Sequence, residues 1–302
     1  MASGTTHIYS YYFTPSSPPR MSFFEKLHRH GTPVLFTVVV VMVFGLVPYF
    51  RERPGAFTAV LCSGMIAVRL GIDAVRSYRE YMALGPGGIP HNVFGWMIQG
   101  LMQPIARRDV KSSAPFADTS ITAKYGPHGR TSFLGPTPLP ARNGDRPIVP
   151  AFVVPQRQTT EPASHDVVFR MQDFLQKTVD ANSSVLQLKP SALEGIGTQA
   201  IWLAPHITPP TYMNRLSGEV CHVHSEAEGS SHMTLSLTDA ELATSKGWAE
   251  RHMMSGVFGL FPLTYVMVYA PRSEDEFEIW EKMVTASVKF VCAGVADVKN
   301  IV

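Results

Sequence analysis

Between Gly218 and His232 the sequence reads G-E-V-C-H-V-H-S-E-A-E-G-S-S-H, which crowds His222, His224 and His232 around Glu226 and Glu228. Two strands suit this stretch, Gly218 to His224 and Ser231 to Leu237, joined by a turn over Ser225 to Ser230. Successive strand side chains point to opposite faces, so His222 and His224 share one face and Cys221 and Val223 the other. On the return strand Met233, Leu235 and Leu237 alternate with His232, Thr234 and Ser236. Packing the apolar set inward brings all three histidines together on the polar face, with the two glutamates at the turn. Several imidazoles in one pocket can take and return protons near neutral pH. Alternatively, His222, His224 and Glu228 form a donor set for a transition metal. A purely structural role for strand histidines is the third possibility, and the spacing leaves all three open.

A second cluster follows in Gly247-Trp248-Ala249-Glu250-Arg251-His252. A flat anionic or enolic ligand suits it. Trp248 would stack, Arg251 would pair with an enolate or carboxylate oxygen, and His252 would move a proton. Arg272, just before the last helix, is either part of that helix's cap or a ligand contact. The glycine-rich run Gly85-Pro86-Gly87-Gly88 lacks the preceding strand and the spacing of a dinucleotide loop. There is no G-x-S-x-G elbow, P-loop or H-E-x-x-H, which removes the common hydrolase and nucleotide chemistries.

The elements that must position these residues read as an α+β domain, a small, mainly antiparallel sheet with flanking helices. Val167 to Val179 has helical apolar spacing. Ala200 to Leu203 and Thr264 to Tyr269 read as strands, and Ile148 to Val154 as an edge strand. Thr238-Asp239-Ala240-Glu241 looks like a capping box opening a helix from Asp239 to Lys246, which Gly247 ends. Ser273-Glu274-Asp275-Glu276 is a second box. It opens a C-terminal helix with Phe277, Trp280, Val284, Val288 and Val291 on one face. His91 to Arg107 reads as an apolar helix that either lies against a membrane or covers the domain. From Lys111 to Ser164 nine prolines make loop the default.

Upstream lies an anchor. Thr32 to Phe50 is 19 residues without a charge, enough to cross about 30 Å of hydrocarbon, the alternative being a buried core helix. A second apolar run, Ala56 to Val68, is either the return leg of a hairpin or an interfacial helix. Arg69, Arg76 and Arg79 after it favour the cytosolic side. The expected order is a flexible terminus (1–31), a membrane anchor of one or two helices (32–80), a helix with a proline-rich region (81–165) and a catalytic domain (166–302). The net charge of +2 in 302 residues gives no reason to expect a nucleic-acid partner. Three scattered cysteines, Cys62, Cys221 and Cys292, fit a reducing compartment.

Taken together, Gly247-Trp248-x-x-Arg251-His252 and Tyr269-Ala270-Pro271-Arg272, downstream of His222-x-His224 and His232, resemble the fungal luciferase family, whose enzymes oxidise 3-hydroxyhispidin with molecular oxygen. The resemblance is closest from about Thr198 to Val291, with echoes at Gln156-Arg157-Gln158 and Leu84-Gly85-Pro86. It implies a membrane-bound oxygenase on the cytosolic face of the endoplasmic reticulum, using molecular oxygen as co-substrate and no cofactor. The implied substrate is an enolic pyrone or polyketide-type phenol. His222, His224, His232, Trp248, Arg251 and His252 are the matching positions; the expected catalytic set is His222, His224, His232, His252 and Arg251, with Trp248, Glu228 and Arg272 as the expected substrate contacts. The turn Ser225-Glu226-Ala227-Glu228 departs from luminous members, which carry an additional histidine there, so oxidation without light is the expectation. Non-oxidative tailoring, metal-dependent chemistry through His222, His224 and Glu228, and non-catalytic binding of a lipid or metabolite are the alternatives.

Overall fold

The structure is a computed structural model of the chain. It describes residues 37, 40–42, 44, 47, 51–213, 215–295, 298 and 299, without the side chain of residue 196. The expected flexible terminus 1–31 and most of the apolar run 32–50 therefore lie outside the described residues. The chain divides into two compact units, Met1–Asp73 and Ala74–Val302.

Helix α1 spans Pro54–Ala83 and starts with a proline, whose fixed φ suits a first helical turn. Among the described residues it is the one helix long and apolar enough to cross a membrane, and none of its most apolar stretch is buried. Phe57, Leu61, Met65, Val68 and Ile72 are all exposed. The charges that interrupt the run pair along the helix, Arg69 Nε lying 3.0 Å from Asp73 Oδ2 one turn on. The second apolar run of the sequence, Ala56 to Val68, thus lies within one continuous helix that runs on to Ala83.

In the second unit a short helix α2, Val93–Met102, is capped by Asn92, whose side chain accepts from the Phe94 and Gly95 amides. Helix α3, His165–Ala181, buries Val168, Met171, Phe174, Leu175, Thr178 and Val179, a single stripe at helical spacing. Strands β1 (Leu186–Ser191), β2 (Gly195–Leu203), β3 (Glu219–Val223), β4 (Ser231–Thr234), β5 (Ala249–Arg251) and β6 (Tyr265–Val268) form one sheet in the order β1-β2-β3-β4-β6-β5. Every pairing is antiparallel. Helix α4, Leu237–Ser245, links β4 to β5, and helix α5, Glu274–Cys292, follows β6.

One sheet face is apolar and packs beneath α3 and α5. Cys221, Val223, Met233, Val266 and Val268 point to it, with Phe174, Trp280, Met283 and Val284 from the helices in the same cluster. The Trp280 indole N–H donates to Ser231 Oγ at 2.9 Å, so the largest core side chain is satisfied as well as buried. Ser273 caps α5, accepting from the Glu276 amide, and three acidic residues sit in its first turn where the helix dipole favours them.

Two expectations need correction. Ile148 to Val154 is loop, not an edge strand. Strand β1 carries a proline, Pro190. An edge strand has an unpaired side on which a proline costs no ladder bond, and β1 is an edge. Helix α4 is capped by Ser236, whose Oγ accepts from the Asp239 amide at 3.1 Å, rather than by Thr238. The Asp239 carboxylate turns instead to the proline-rich segment, accepting from Ser132 Oγ at 2.6 Å and the Phe133 amide at 2.8 Å.

Candidate active site

The opposite sheet face is polar and closed. In the β3–β4 register His222 stands directly opposite His232, and Cys221 opposite Met233. Alternation then carries His224 to the histidine face. Across β6 the same face shows Tyr265 and Met267, and across β5 it shows Glu250. His252 follows β5 in the same phase. The rings form a chain: His222 to His224 5.4 Å between centroids, His222 to His232 5.3 Å, His224 to His232 5.1 Å, and His232 to His252 5.4 Å. Tyr265 stacks on His232 at 5.1 Å, and Phe261 on Tyr265 at 4.8 Å. All four histidines are at most 5% exposed.

Each imidazole is oriented from behind. His222 Nδ1 lies 2.7 Å from Glu219 Oε1, so in the neutral ring the proton sits on Nδ1 against the carboxylate and Nε2 keeps the electron pair. Glu219 is itself held by Ser191 Oγ at 2.7 Å and by the Ala192 amide at 2.9 Å. His224 Nδ1 faces Ser230 Oγ at 2.9 Å and Glu228 Oε1 at 3.3 Å, while Ser230 also donates to Glu228. Its Nε2 lies 3.4 Å from Glu194 Oε1, and the other Glu194 oxygen pairs with Arg157. The Met254 amide donates to His252 Nδ1 at 3.1 Å, which leaves the proton of the neutral ring on Nε2.

Three segments roof this face. The Arg157 guanidinium donates to the carbonyls of Leu84 and Pro86, both at 2.7 Å, and ties the glycine-rich run down over Glu194. A Cβ on Gly88 would stand 2.8 Å from Val154 and 2.9 Å from the Leu193 carbonyl, so the run's glycines serve close approach rather than phosphate binding. Gln156 donates to Glu250 Oε1 at 2.9 Å and to the Arg251 carbonyl at 3.1 Å. Between roof and sheet lies a cavity of about 150 Å³, lined by His222, His232, His252, Glu194, Tyr265 and Phe261 among others.

Burial and charge divide the histidines. Burial would lower His224, but Glu194 and Glu228 outweigh it and carry the ring up to about 9. Burial pushes His252 down to about 3. Burial, reinforced by the neighbouring His224, His222 and His252, holds His232 well below the ordinary imidazole value. Burial would raise Glu194, but His224, His222 and Arg157 overcome it and keep it ionised. At neutral pH the site therefore holds the His224 imidazolium between two carboxylates, with the neutral rings of His232 and His252 beside it.

A stability profile follows. The raised His224 contributes stability that is fully present below its unfolded value of 6.5 and lost as pH rises through about 9. That loss amounts to about 3 kcal/mol. The depressed His232 and His252 contribute stability present above 6.5 and lost as pH falls below it. The thermal midpoint of the metal-free protein should peak near pH 6.5. His224→Gln should flatten the alkaline limb and leave the acidic one. A midpoint still rising between pH 6.5 and 9 would contradict this charge assignment.

The structure brings His222, His224, His232 and His252 together and leaves the other sequence candidates elsewhere. Arg251 neighbours His252 on a strand and so points to the opposite face. It is fully buried there, with Nη2 2.7 Å from Asp109 Oδ2 and 2.8 Å from the Asp109 carbonyl. The Trp248 indole donates to the Pro140 carbonyl at 2.7 Å from within the main core. Arg272 is bound to Glu276 and, through Nη2, to the Asn143 carbonyl at 2.7 Å. None of the three lines the cavity. Glu228 lies behind His224, on its Nδ1 side. The metal-capable group is instead His222, His224 and His232, with one ligand nitrogen from each within 4.8 Å of the others. Glu194 and Glu219 escaped the sequence reading. Glu219, three residues before His222, was accessible as an acid–histidine pair. Glu194 sits in the β1–β2 turn, and nothing local marks it.

Residues 217–287 match the family described as the Luciferase domain. The chain is also similar to whole luciferases. It is 24% identical over 285 residues to the "Luciferase" of Armillaria mellea, covering 90% of this chain and 96% of the relative. It is 24% identical over 260 residues to that of Armillaria gallica, covering 82% and 93%. It is 25% identical over 247 residues to that of Neonothopanus nambi, covering 77% and 87%. No solved structure matches the chain.

Proposed function

Because the chain is a fungal luciferase-family protein, we propose that it is an oxygen-dependent oxygenase acting on an enolic pyrone or polyketide-type phenol without emitting light. The observation that carries this reading is the 150 Å³ histidine-walled cavity, a size that takes a single six-membered ring. A ring lying in the cavity against Tyr265 and the histidines presents its hydroxyl to Nε2 of His222. That nitrogen accepts the proton, and Glu219 stabilises the imidazolium that forms. The Nε2–H of His252 donates to the new enolate oxygen. The His224 cation, buried nearby, favours the anion because charges act strongly out of water. On a pyrone, dioxygen then adds to the electron-rich ring carbon, and the peroxide closes on the lactone carbonyl. The strained endoperoxide loses carbon dioxide. Dioxygen is the oxidant throughout, so neither flavin nor nicotinamide is called for.

The test is oxygen uptake by detergent-solubilised protein offered 3-hydroxyhispidin and a panel of hydroxylated pyrones and phenols, with light recorded in parallel. Uptake in darkness is the expected result. No uptake on any of them would overturn the oxygenase reading, and light would overturn the dark one.

We place the protein at the endoplasmic reticulum membrane with the second unit in the cytosol, held by α1. Support comes from the unburied apolar surface of that helix and from the arginines around it. The full chain should sediment with membranes through alkaline carbonate washing and be released only by detergent. Recovery in the supernatant after carbonate would contradict an integral anchor.

A further inference from the structure

The unpartnered nitrogens of the cluster point to a further ligand. His222 Nε2, His224 Nε2 and His232 Nδ1 are buried and lack a hydrogen-bond partner, a costly state for any polar atom taken out of water. One ligand nitrogen from each of these rings lies within 4.8 Å of the others. The far nitrogens of His222 and His224 are meanwhile held by carboxylates, Glu219 at 2.7 Å and Glu228 at 3.3 Å. Metal-ligating histidines are held in just this way, the second nitrogen donating to an acid that fixes the tautomer and strengthens the ligand.

We infer that His222, His224 and His232 together bind one divalent first-row transition ion, with Glu194 supplying a fourth, anionic donor. Three imidazoles and a carboxylate suit zinc, iron, copper or nickel rather than calcium or magnesium. An ion about 2.1 Å from each nitrogen would draw the three in to about 3.4 Å of one another, a matter of small ring rotations. Glu194 Oε1 is 3.4 Å from His224 Nε2 and needs a similar adjustment. Binding needs all three imidazoles unprotonated, so affinity falls as the solution is acidified. This assignment moves the carboxylate ligand from Glu228, which lies behind the cluster, to Glu194, which lies at its open side.

The place of the ion stands on these atoms alone, while its task rests on the oxygenase reading. With the ion present, the imidazole electron pairs hold it in place of a proton. The ion would supply a Lewis acid beside the ring hydroxyl, where a bound hydroxyl has a lowered pKa.

The experiment strips the purified full-length protein with a chelator and titrates it with cobalt(II), following visible absorption and dichroism of the bound ion. One equivalent per chain is expected. Glu219→Gln should weaken binding about 10- to 100-fold with the fold intact, and the His222→Ala, His232→Ala double variant should abolish the absorption. No stoichiometric binding, or binding undiminished in the double variant, overturns the proposal. Full oxygen uptake by stripped protein that binds no cobalt would sink the ion and leave the oxygenase standing. Stoichiometric binding without uptake on any pyrone or phenol would support the ion and sink the oxygenase.

Discussion

Replacing His222 by alanine should lower oxygen uptake, measured as kcat/KM on an accepted pyrone, by about 10²–10⁴-fold. The expectation holds whether the bare Nε2 takes a proton or an ion, since the substitution removes it in either case. The fold should survive, because the acid left behind keeps its other partners. Glu219 still accepts from Ser191 Oγ at 2.7 Å and from the Ala192 amide at 2.9 Å. The near-isosteric His222→Asn separates chemistry from packing, since it restores most of the volume and no basic nitrogen. Near-native turnover in either variant would remove His222 from the chemistry.

The second large effect is on stability and falls on Arg157. Its guanidinium is buried and holds two backbone carbonyls and the Glu194 carboxylate at once. Arg157→Met keeps the stem and removes the charge. It strands a buried anion and two carbonyls, and breaking a buried pair from one side costs about 3–5 kcal/mol. For a unit of this size that is a fall of about 10 °C in Tm. Arg157→Lys should recover only part, because an ammonium cannot span the same three acceptors. The double variant Arg157→Met, Glu194→Gln should be more stable than Arg157→Met alone, as the orphaned charge is then gone. A Tm within about 2 °C of wild type for Arg157→Met would mean that the roof is not held by this residue.

Much of this was legible in the sequence, for reasons that can be stated residue by residue. The β3–β4 hairpin and its histidine face follow from period-two alternation, which needs no tertiary information. The two long helices of the second unit follow from apolar stripes, the second with its serine cap at Ser273. What the sequence hid was set by contacts distant along the chain. Arg251 and His252 looked like a functional pair because they are adjacent. Adjacency on a strand separates side chains by the thickness of the sheet, and Arg251 went to Asp109 instead. Trp248 offers a ring for stacking, but the Pro140 carbonyl takes its N–H. The glycine-rich run at Gly85 to Gly88 has meaning only beside Arg157 and Glu194, which lie about seventy and more than a hundred positions downstream. Glu194 itself sits in a turn like many others until the fold brings it to His224.

The central claim is that dioxygen enters a ring substrate at this cluster. Isotopically labelled dioxygen, supplied to purified protein with a pyrone or phenol it consumes, tests that claim most directly through the mass of the product. The account predicts labelled oxygen in the product of the wild-type reaction and none above background with His222→Ala. A product formed at full rate with no label would contradict it and turn the same histidines to non-oxidative chemistry.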